Sequence, residues 1–211
     1  VGPKSSILDV GCGQGHLLRE MAAWGFTDLT GIDPYVPCDI QVGRKSRVLR
    51  CALADAEGKY DLVMLHHSLE HMIRPRATLA KVRELAKPGG SILVRTPLAD
   101  CSAREIYGAD WVQLDAPRHL YVHTGKSVAL LAGDVGLELR RTVYDSTGFQ
   151  FWASEQYRRG LSLHMRPAAT QPRCVYTPSE LEAFEARAKE LNRAGNGDQA
   201  CFYFVRAQRQ T

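Results

Sequence analysis

The stretch ILDVGCGQGHLL, which begins at Ile7, constrains the fold of this chain more than any other feature of its sequence. A short apolar run ends in a turn that contains Gly11, Gly13 and Gly15, and a run with helical spacing follows. A strand, a glycine turn and a helix N-terminus together form a cradle for a ligand, because glycine lets a ligand approach the backbone and the first N–H groups of a helix are free. The spacing is G-x-G-x-G, whereas the dinucleotide fingerprint requires a glycine at the position of His16.

Strand and helix patterns alternate along the chain. Strands are predicted at 7–10, 29–32, 47–51, 61–65, 91–95, 137–144 and 199–205. Helices are predicted at 15–24, 77–86, 127–135 and 149–161, and a last helix begins with a capping box, has Pro178 as its first residue and stops at Gly195. The run DLVML is apolar on both faces, as in central parallel strands. This order predicts an α/β protein with a Rossmann-like, doubly wound sheet of seven strands, mostly parallel with an antiparallel last strand.

Length and composition indicate one globular domain over residues 1–211, since 45% of the residues are hydrophobic and 24% are charged. No apolar run is long enough to span a membrane, so no membrane partner is expected. The six cysteines form no C-x-x-C pair, which favours reduced thiols and a cytoplasmic location.

The charge balance gives little support to nucleic-acid binding. The net charge of +4 is mild, and a nucleic-acid partner is therefore not expected. One local bias exists between Gln156 and Ser179, where the chain has no acidic residue and four arginines: Arg158, Arg159, Arg166 and Arg173. A solvated loop is the favoured interpretation, and a surface for an anionic substrate or partner is the alternative.

An acidic residue at the end of the second predicted strand indicates what the glycine turn holds. Asp33 follows the run LTGI and precedes Pro34. A carboxylate at this place can accept both hydroxyls of a ribose, since each of its oxygens offers two lone pairs. The glycine turn and Asp33 together therefore predict a ribose-bearing ligand.

Four motifs in register resemble those of class I S-adenosylmethionine-dependent methyltransferases. They are LDVGCGQG, GIDP, YDLVMLHHSLEHM, and KPGG followed by SILV. The later stretch GADWVQLDAPRHLYVHT is similar to a bacterial subgroup that acts on small molecules, so the resemblance extends from Ile7 to Val205. The chain departs from the family pattern at its third strand, which is short and lacks the usual aspartate and aromatic contacts to adenine.

The resemblance implies that the cofactor is S-adenosylmethionine and that particular residues bind it. Gly11, Gly13 and Gly15 are expected to pack against its methionine end, while Asp9 orients the ammonium group. The remaining cofactor contacts implied are Asp33 to the ribose hydroxyls, Asp55 to the adenine, and His66 at the border with the substrate.

The acceptor requires a base if it is a hydroxyl, and histidines are the candidates. His67, His71, His119 and His123 lie in two loops that are expected at the carboxyl ends of the strands. His119 and His67 are the predicted catalytic residues, with His119 as the first choice. A histidine that bonds a loop carbonyl is an equally good interpretation of His119. Arg118 fits either a substrate anion or a surface ion pair.

The sequence HSLEH also raises the question of a metal. Mixed nitrogen and oxygen ligands from His67, Glu70, His71 and His119 are chemically suited to a divalent ion. The favoured interpretation has no metal: Glu70 caps the following turn and His71 packs.

Methyl transfer to an oxygen of a small molecule is the expected activity, with residues 100–124 and 149–194 as insertions that cover the pocket. Two alternatives stay open. The chain is an RNA methyltransferase if its arginines belong to a basic face. It is a regulatory protein without catalysis if it only binds the cofactor.

Overall fold

The computed structural model describes residues 1–163 and 172–207. Arg166 and the side chain of Arg173, which belong to the arginine-rich stretch, lie outside this description, as does part of the predicted insertion at 149–194. The chain divides into two compact units. The first contains Val1–Thr96, Lys126–Thr142 and the chain from Phe202, and the second contains Pro97–Gly125 and Val143–Cys201.

Eight strands in the described residues form one mixed sheet in the order β3-β4-β2-β1-β5-β6-β8-β7. Their bounds are β1 Ser6–Val10, β2 Asp28–Ile32, β3 Ile40–Gly43, β4 Ser46–Leu49, β5 Tyr60–His66, β6 Ala86–Pro97, β7 Leu137–Tyr144 and β8 Gln199–Arg206. β1 pairs in parallel with its two neighbours, β2 and β5. The pairs β2–β4 and β5–β6 are also parallel, whereas the C-terminal strands are antiparallel. The predicted α/β, Rossmann-like fold is therefore confirmed.

Helices connect these strands. Their bounds are α1 His16–Ala23, α2 Pro75–Leu85, α3 Ser102–Tyr107, α4 Gly125–Asp134, α5 Phe149–Arg158, α6 Pro172–Val175 and α7 Pro178–Arg193. The predicted capping box of α7 is confirmed: the Thr177 hydroxyl accepts from the backbone N–H of Glu180, and the Glu180 carboxylate accepts from the backbone N–H of Thr177.

The sheet has one strand more than the seven expected, because β3 pairs antiparallel with β4 at the edge. The residues of β3 are partly or fully exposed. An edge strand of four residues carries little apolar alternation, so its sequence gives no clear strand signal.

The segment Lys87–Gly90, which lies between the predicted helix at 77–86 and the predicted strand at 91–95, is part of β6. The register jumps from Tyr60↔Ala86 to Leu62↔Ser91, which is a bulge. Gly89 has φ +75°, a conformation that glycine adopts without strain and that lets the strand absorb the extra residues.

Helix α1 packs on the sheet through an apolar core, and this packing fixes the turn before it. Leu18 and Met21 are buried with Ile7 and Leu29, and burial of each such side chain contributes about 1.5–3 kcal/mol. Gly31 in β2 makes room for this contact, since a Cβ there would overlap the sulfur of Cys12 and approach Leu18 Cδ1 to 2.7 Å.

The second unit has its own core, built around Trp111 and Phe151, which are both fully buried. The Trp111 indole donates to the buried carboxylate of Asp198 at 3.3 Å, so this tryptophan anchors its loop. The stretch 100–124, which was expected to be an insertion, contains α3 and two short 3-10 helices. In the part of the chain that the structure describes, no helix is long and apolar enough to cross a membrane.

Candidate functional site

The glycine turn between β1 and α1 has the conformation that its composition predicts. Gly11, Gly13 and Gly15 have φ of +74°, +53° and +75°, all in the left-handed region. The N–H of Gly11 donates to the Ile32 carbonyl at 2.8 Å, which ties the turn to the end of β2. Since β1 and β2 are parallel, both carboxyl ends meet at one edge of the sheet, where ligands bind in open α/β sheets.

The three glycines of this turn serve different purposes. A Cβ on Gly11 would lie 2.7 Å from Ser68 Cβ, and a Cβ on Gly15 would lie 2.6 Å from Val48 Cγ2. These two positions exclude side chains because neighbouring residues already fill the space. A Cβ on Gly13 meets no described atom within 4 Å. Gly13 is therefore the point at which the turn leaves room for a ligand.

Alanine substitutions should separate packing from binding. We expect Gly11→Ala to destabilise the protein by about 2–4 kcal/mol, because it adds a clash to a left-handed conformation that costs about 1–2 kcal/mol. Gly13→Ala should destabilise the protein only by the cost of the left-handed conformation, about 1–2 kcal/mol. It should also weaken ligand binding, since its methyl group enters the space that Gly13 leaves for a ligand. Denaturant unfolding and calorimetric titration measure the two effects. Equal destabilisation by both substitutions would contradict this assignment.

Asp33 holds the turn from the end of β2. Its Oδ2 accepts from the backbone N–H of Gly13 at 2.9 Å, and its Oδ1 accepts from the N–H of Tyr35 at 2.8 Å. Each oxygen keeps a second lone pair, and the residue is partly exposed. The carboxylate can therefore accept a hydroxyl from a ligand that lies over Gly13.

Asp9 lies in β1 directly before the turn and is 3% exposed. Its Oδ1 has no hydrogen-bond partner among the described residues. Burial, and next the charge of Asp33, raise the pKa of Asp9 to about 7. An unpartnered buried carboxyl of this kind is stabilised in its charged form by a cation that donates a hydrogen bond.

Cys12 is poorly suited to act as a nucleophile in this turn. Burial, together with the charges of Asp9 and Asp33, raises the pKa of its thiol to about 12. The reactive species of cysteine is the thiolate, which is scarce at neutral pH under these conditions.

The end of β5 contributes residues to the same edge of the sheet, because β5 pairs with β1 and places Met64 beside Asp9. His66 is the last residue of the strand and is partly exposed. Ser68 is 4% exposed, packs against Gly11, and its hydroxyl has no partner among the described residues. Ser68 was not predicted, since nothing in its local sequence pattern distinguishes it from other loop serines.

His67 and Glu70 lie together after β5. His67 Nδ1 is 3.3 Å from Glu70 Oε1, and the Thr96 hydroxyl donates to Glu70 Oε2 at 3.1 Å. Glu70 is fully buried, whereas the His67 side chain is 35% exposed. His71 is exposed, which differs from the packed position that the favoured interpretation of the sequence gave it. The contact of Glu70 with Thr96 was not predicted.

His119, the first choice as catalytic residue, lies in the second unit and its side chain is 7% exposed. Its Nδ1 is 2.7 Å from the Gln113 carbonyl oxygen, and its Nε2 is 3.7 Å from Asp115 Oδ2. This is the bond to a loop carbonyl that the sequence left open as an alternative. Arg118 forms an ion pair with Asp115 through two nitrogens, at 3.0 and 2.6 Å.

Asp55, the candidate contact for adenine, ends a short 3-10 helix that follows β4. It lines a groove of about 290 Å³ whose other walls include Thr30 in β2, Arg47 in β4 and Tyr60 in β5. Its proposed contact with adenine stays a prediction.

The geometry suits a ligand that has both a cation and hydroxyl groups. The cation is served by Asp9, the hydroxyls are served by Asp33, and Gly13 leaves space between these groups and solvent. His67 offers an imidazole from the adjacent strand end. The first unit thus combines a binding turn and a candidate base.

Comparison with known proteins shows which proteins this chain is similar to. A family model described as a methyltransferase domain matches residues 2–142. The ubiquinone biosynthesis O-methyltransferase of Bordetella avium is 33% identical over 151 residues, which are 63% of this chain and 61% of that protein. The protein of the same name from Xanthomonas campestris is 28% identical over 193 residues, 83% of this chain and 77% of that protein. The chain thus spans about three fifths of the Bordetella relative's length.

A solved structure with the same fold is mycolic acid cyclopropane synthase CmaA1, complexed with SAH and CTAB. It is 16% identical, has a TM-score of 0.58, and the alignment covers 97% of this chain and 79% of that chain. At this identity the similarity concerns the fold alone.

Proposed function

This chain belongs to the methyltransferase-domain family, as its four motifs predicted, and we propose that it transfers the methyl group of S-adenosylmethionine to an oxygen of a small molecule. The observation that carries the proposal is the unpartnered, buried carboxyl of Asp9 beside the open position over Gly13. A buried carboxyl without a partner is costly, and proteins retain such groups where a ligand completes them.

The residues of the turn fit S-adenosylmethionine. Asp9 would accept a hydrogen bond from the ammonium group, and Asp33 would accept from the ribose hydroxyls with its free lone pairs. His66 would border the cofactor on the substrate side, and Asp55 would contact the adenine. Ser68 would offer its hydroxyl beside Gly11. The cofactor supplies a methyl group on a sulfonium, which is the reactive group.

The protein's part in the reaction is to position the acceptor and to take its proton. Orientation of two reactants can supply roughly 7–11 kcal/mol of the barrier, so no covalent intermediate with the protein is required. A hydroxyl acceptor becomes a better nucleophile when a base removes its proton. His67 is the proposed base, since its ring is accessible and one of its nitrogens faces a buried carboxyl. His119 stays a second candidate.

Asp33→Ala should weaken the binding of S-adenosylmethionine tenfold or more. The reason is that hydrogen bonds to a charged group contribute about 1.5–3 kcal/mol, and the substitution also releases the N–H of Gly13. Calorimetric titration measures the affinity. Asp134→Ala, which removes a carboxylate that is 61% exposed, is the matched control and should bind normally. An Asp33→Ala protein with wild-type affinity would refute the ribose contact.

The small-molecule acceptor is preferred to RNA because the described arginines of the basic stretch have partners. Arg158 lies 4.5 Å from the centre of the Tyr107 ring and 3.7 Å from Glu155 Oε2. Arg159 lies over Tyr176 and pairs with the same glutamate. Cation–π and ion-pair contacts of this kind hold side chains against the protein. A cytoplasmic location is also proposed, supported by six cysteines that form no disulfide within the described residues.

The test is transfer of labelled methyl groups from S-adenosylmethionine. One arm contains a panel of phenols, alcohols and carboxylic acids, and a second arm contains total RNA. We expect label on the oxygen of a small molecule. Label in RNA alone would support the RNA methyltransferase, and tight cofactor binding without labelled product in either arm would support the regulatory protein.

A further inference from the structure

We propose that Glu70 is a positioning residue that holds the His67 imidazole with its hydrogen on Nδ1, so that Nε2 is free to accept the proton of the acceptor hydroxyl. The inference rests on the proposed function, because it assigns the residue that prepares the base of that reaction. It starts from the contact between His67 Nδ1 and Glu70 Oε1 at 3.3 Å.

Glu70 is built into the first unit as a fixed acceptor. It is fully buried on the 3-10 helix Leu69–His71, and the fully buried Thr96 in β6 donates its hydroxyl to Oε2. A carboxyl in such a place has a defined orientation, since it cannot turn toward water. Its second oxygen, Oε1, faces His67.

The backbone of His67 is also held in an uncommon conformation. Its φ is +48°, in the left-handed region that residues with side chains rarely adopt. The N–H of His67 donates to the Arg95 carbonyl at 2.9 Å, which fixes the residue between the ends of β5 and β6. Strain of this kind persists where surrounding structure imposes it, and it clusters at functional sites.

This placement brings the base near the cofactor turn. Ser68, the next residue, packs against Gly11 of that turn. The His67 side chain is 35% exposed, so its remaining nitrogen is within reach of a ligand. Among the histidines considered as bases, His119 is less accessible, since its side chain is 7% exposed.

The proton transfer follows from the tautomer. With its hydrogen on Nδ1, the ring donates to Glu70 Oε1 and keeps a lone pair on Nε2. The O–H bond of the acceptor breaks, its proton forms the new N–H bond at Nε2, and the electron pair stays on the oxygen. That oxygen would form the new bond to the methyl carbon, whose bond to sulfur would break and leave its electron pair on the sulfur, giving a neutral thioether. The imidazolium that forms is stabilised by the carboxylate beside it, as in the acid–histidine pairs of hydrolases.

The direct test is nitrogen NMR of the histidine rings in the full chain at a pH at which the ring is neutral. Protein labelled with ¹⁵N-histidine contains seven histidines, and the His67 signals are those missing from the His67→Asn variant. We expect the hydrogen of the wild-type ring on Nδ1. In Glu70→Gln the ratio of the two tautomers should shift by about tenfold toward the Nε2–H form. A wild-type ring that carries its hydrogen on Nε2 would overturn the proposal.

Two further variants keep the test independent of the folding of Glu70→Gln. Thr96→Val removes the hydroxyl that anchors Glu70 and should shift the tautomer ratio in the same direction by a smaller factor. Glu84→Gln changes an exposed glutamate on α2 and should leave it unchanged. A ratio that is the same in wild type, Thr96→Val and Glu70→Gln would contradict a positioning role.

Turnover gives the second readout. With an acceptor from the panel, Glu70→Gln should lower kcat by about 100-fold and leave the affinity for S-adenosylmethionine within about twofold. A fall in affinity of the same size as the fall in kcat would indicate a merely structural residue. If no acceptor is methylated at all, the proposed function fails while the NMR measurement still decides whether Glu70 fixes the His67 ring.

Discussion

Asp9→Asn is expected to weaken the binding of S-adenosylmethionine by about 10- to 100-fold, since it replaces a charged acceptor whose hydrogen bond contributes about 1.5–3 kcal/mol. The same substitution should stabilise the free protein above pH 7. Both effects come from one cause: the carboxyl is buried and its Oδ1 has no partner among the described residues. The cation of a ligand offsets the free-energy cost of burying the charged carboxylate. The amide of Asn is uncharged and does not incur this cost.

The sign of the stability effect follows from the two pKa values of Asp9. Its ordinary pKa is 3.8, and burial with the charge of Asp33 raises it to about 7. Between these values the folded protein holds a proton that the unfolded chain has lost, so stability falls as the pH rises from about 4 to 7. A pKa shift of about three units lowers the free energy of unfolding by at most about 4 kcal/mol. The Asn side chain does not ionise, so the variant does not lose this stability.

The measurement is unfolding by denaturant at pH 4, 6 and 8, combined with calorimetric titration of S-adenosylmethionine at pH 8. The stability gain of Asp9→Asn should be present at pH 8 and vanish at pH 4. Asp28→Asn, at an exposed position of β2, is the control and should show no such pH dependence. A variant that is no more stable than wild type at pH 8, with full affinity, would contradict the role of Asp9.

His67→Asn is expected to lower turnover by about 100-fold or more, because it removes the proposed base, and general bases contribute about 10²–10⁴. Asparagine is suited to this test, since it tolerates the left-handed conformation of His67 at φ +48°. The affinity for the cofactor should stay within about twofold. Steady-state kinetics with a methylated acceptor and calorimetric titration measure the two quantities.

His119→Asn provides the comparison that separates the two predicted catalytic histidines. The structure gives His119 a carbonyl contact at 2.7 Å within its own loop, so the substitution should lower stability by about 1 kcal/mol and turnover less than His67→Asn does. A loss of turnover that is larger for His119→Asn, with unchanged stability, would favour the original first choice.

Most of the proposed binding turn could be predicted from the sequence. A left-handed turn is predicted by three closely spaced glycines, Gly11, Gly13 and Gly15. Asp33 belongs to the short motif GIDP. Both features depend on residues that are adjacent in the sequence, so local patterns are enough to predict them. The capping box at Thr177 was predictable for the same reason. Strand β3 was not, because an exposed edge strand has no core to impose an apolar pattern.

The contacts of the site that were not predicted from the sequence join residues on different strands of the sheet. The Glu70 carboxyl is anchored by Thr96, which is 26 residues away and adjacent only through the pairing of β5 with β6. That pairing contains a bulge at Lys87–Gly90, and no local pattern sets its register. The contact of Ser68 with Gly11 likewise depends on how the end of β5 meets the turn after β1.

A crystal structure with S-adenosylhomocysteine soaked in tests the proposed binding site most directly. We predict that the compound lies over Gly13, with its amino group bonded to Asp9 Oδ1 and its ribose hydroxyls at the carboxylate of Asp33. Density for the compound elsewhere on the protein, with Asp9 still unpartnered, or a nicotinamide or nucleoside triphosphate in its place, would contradict the assignment.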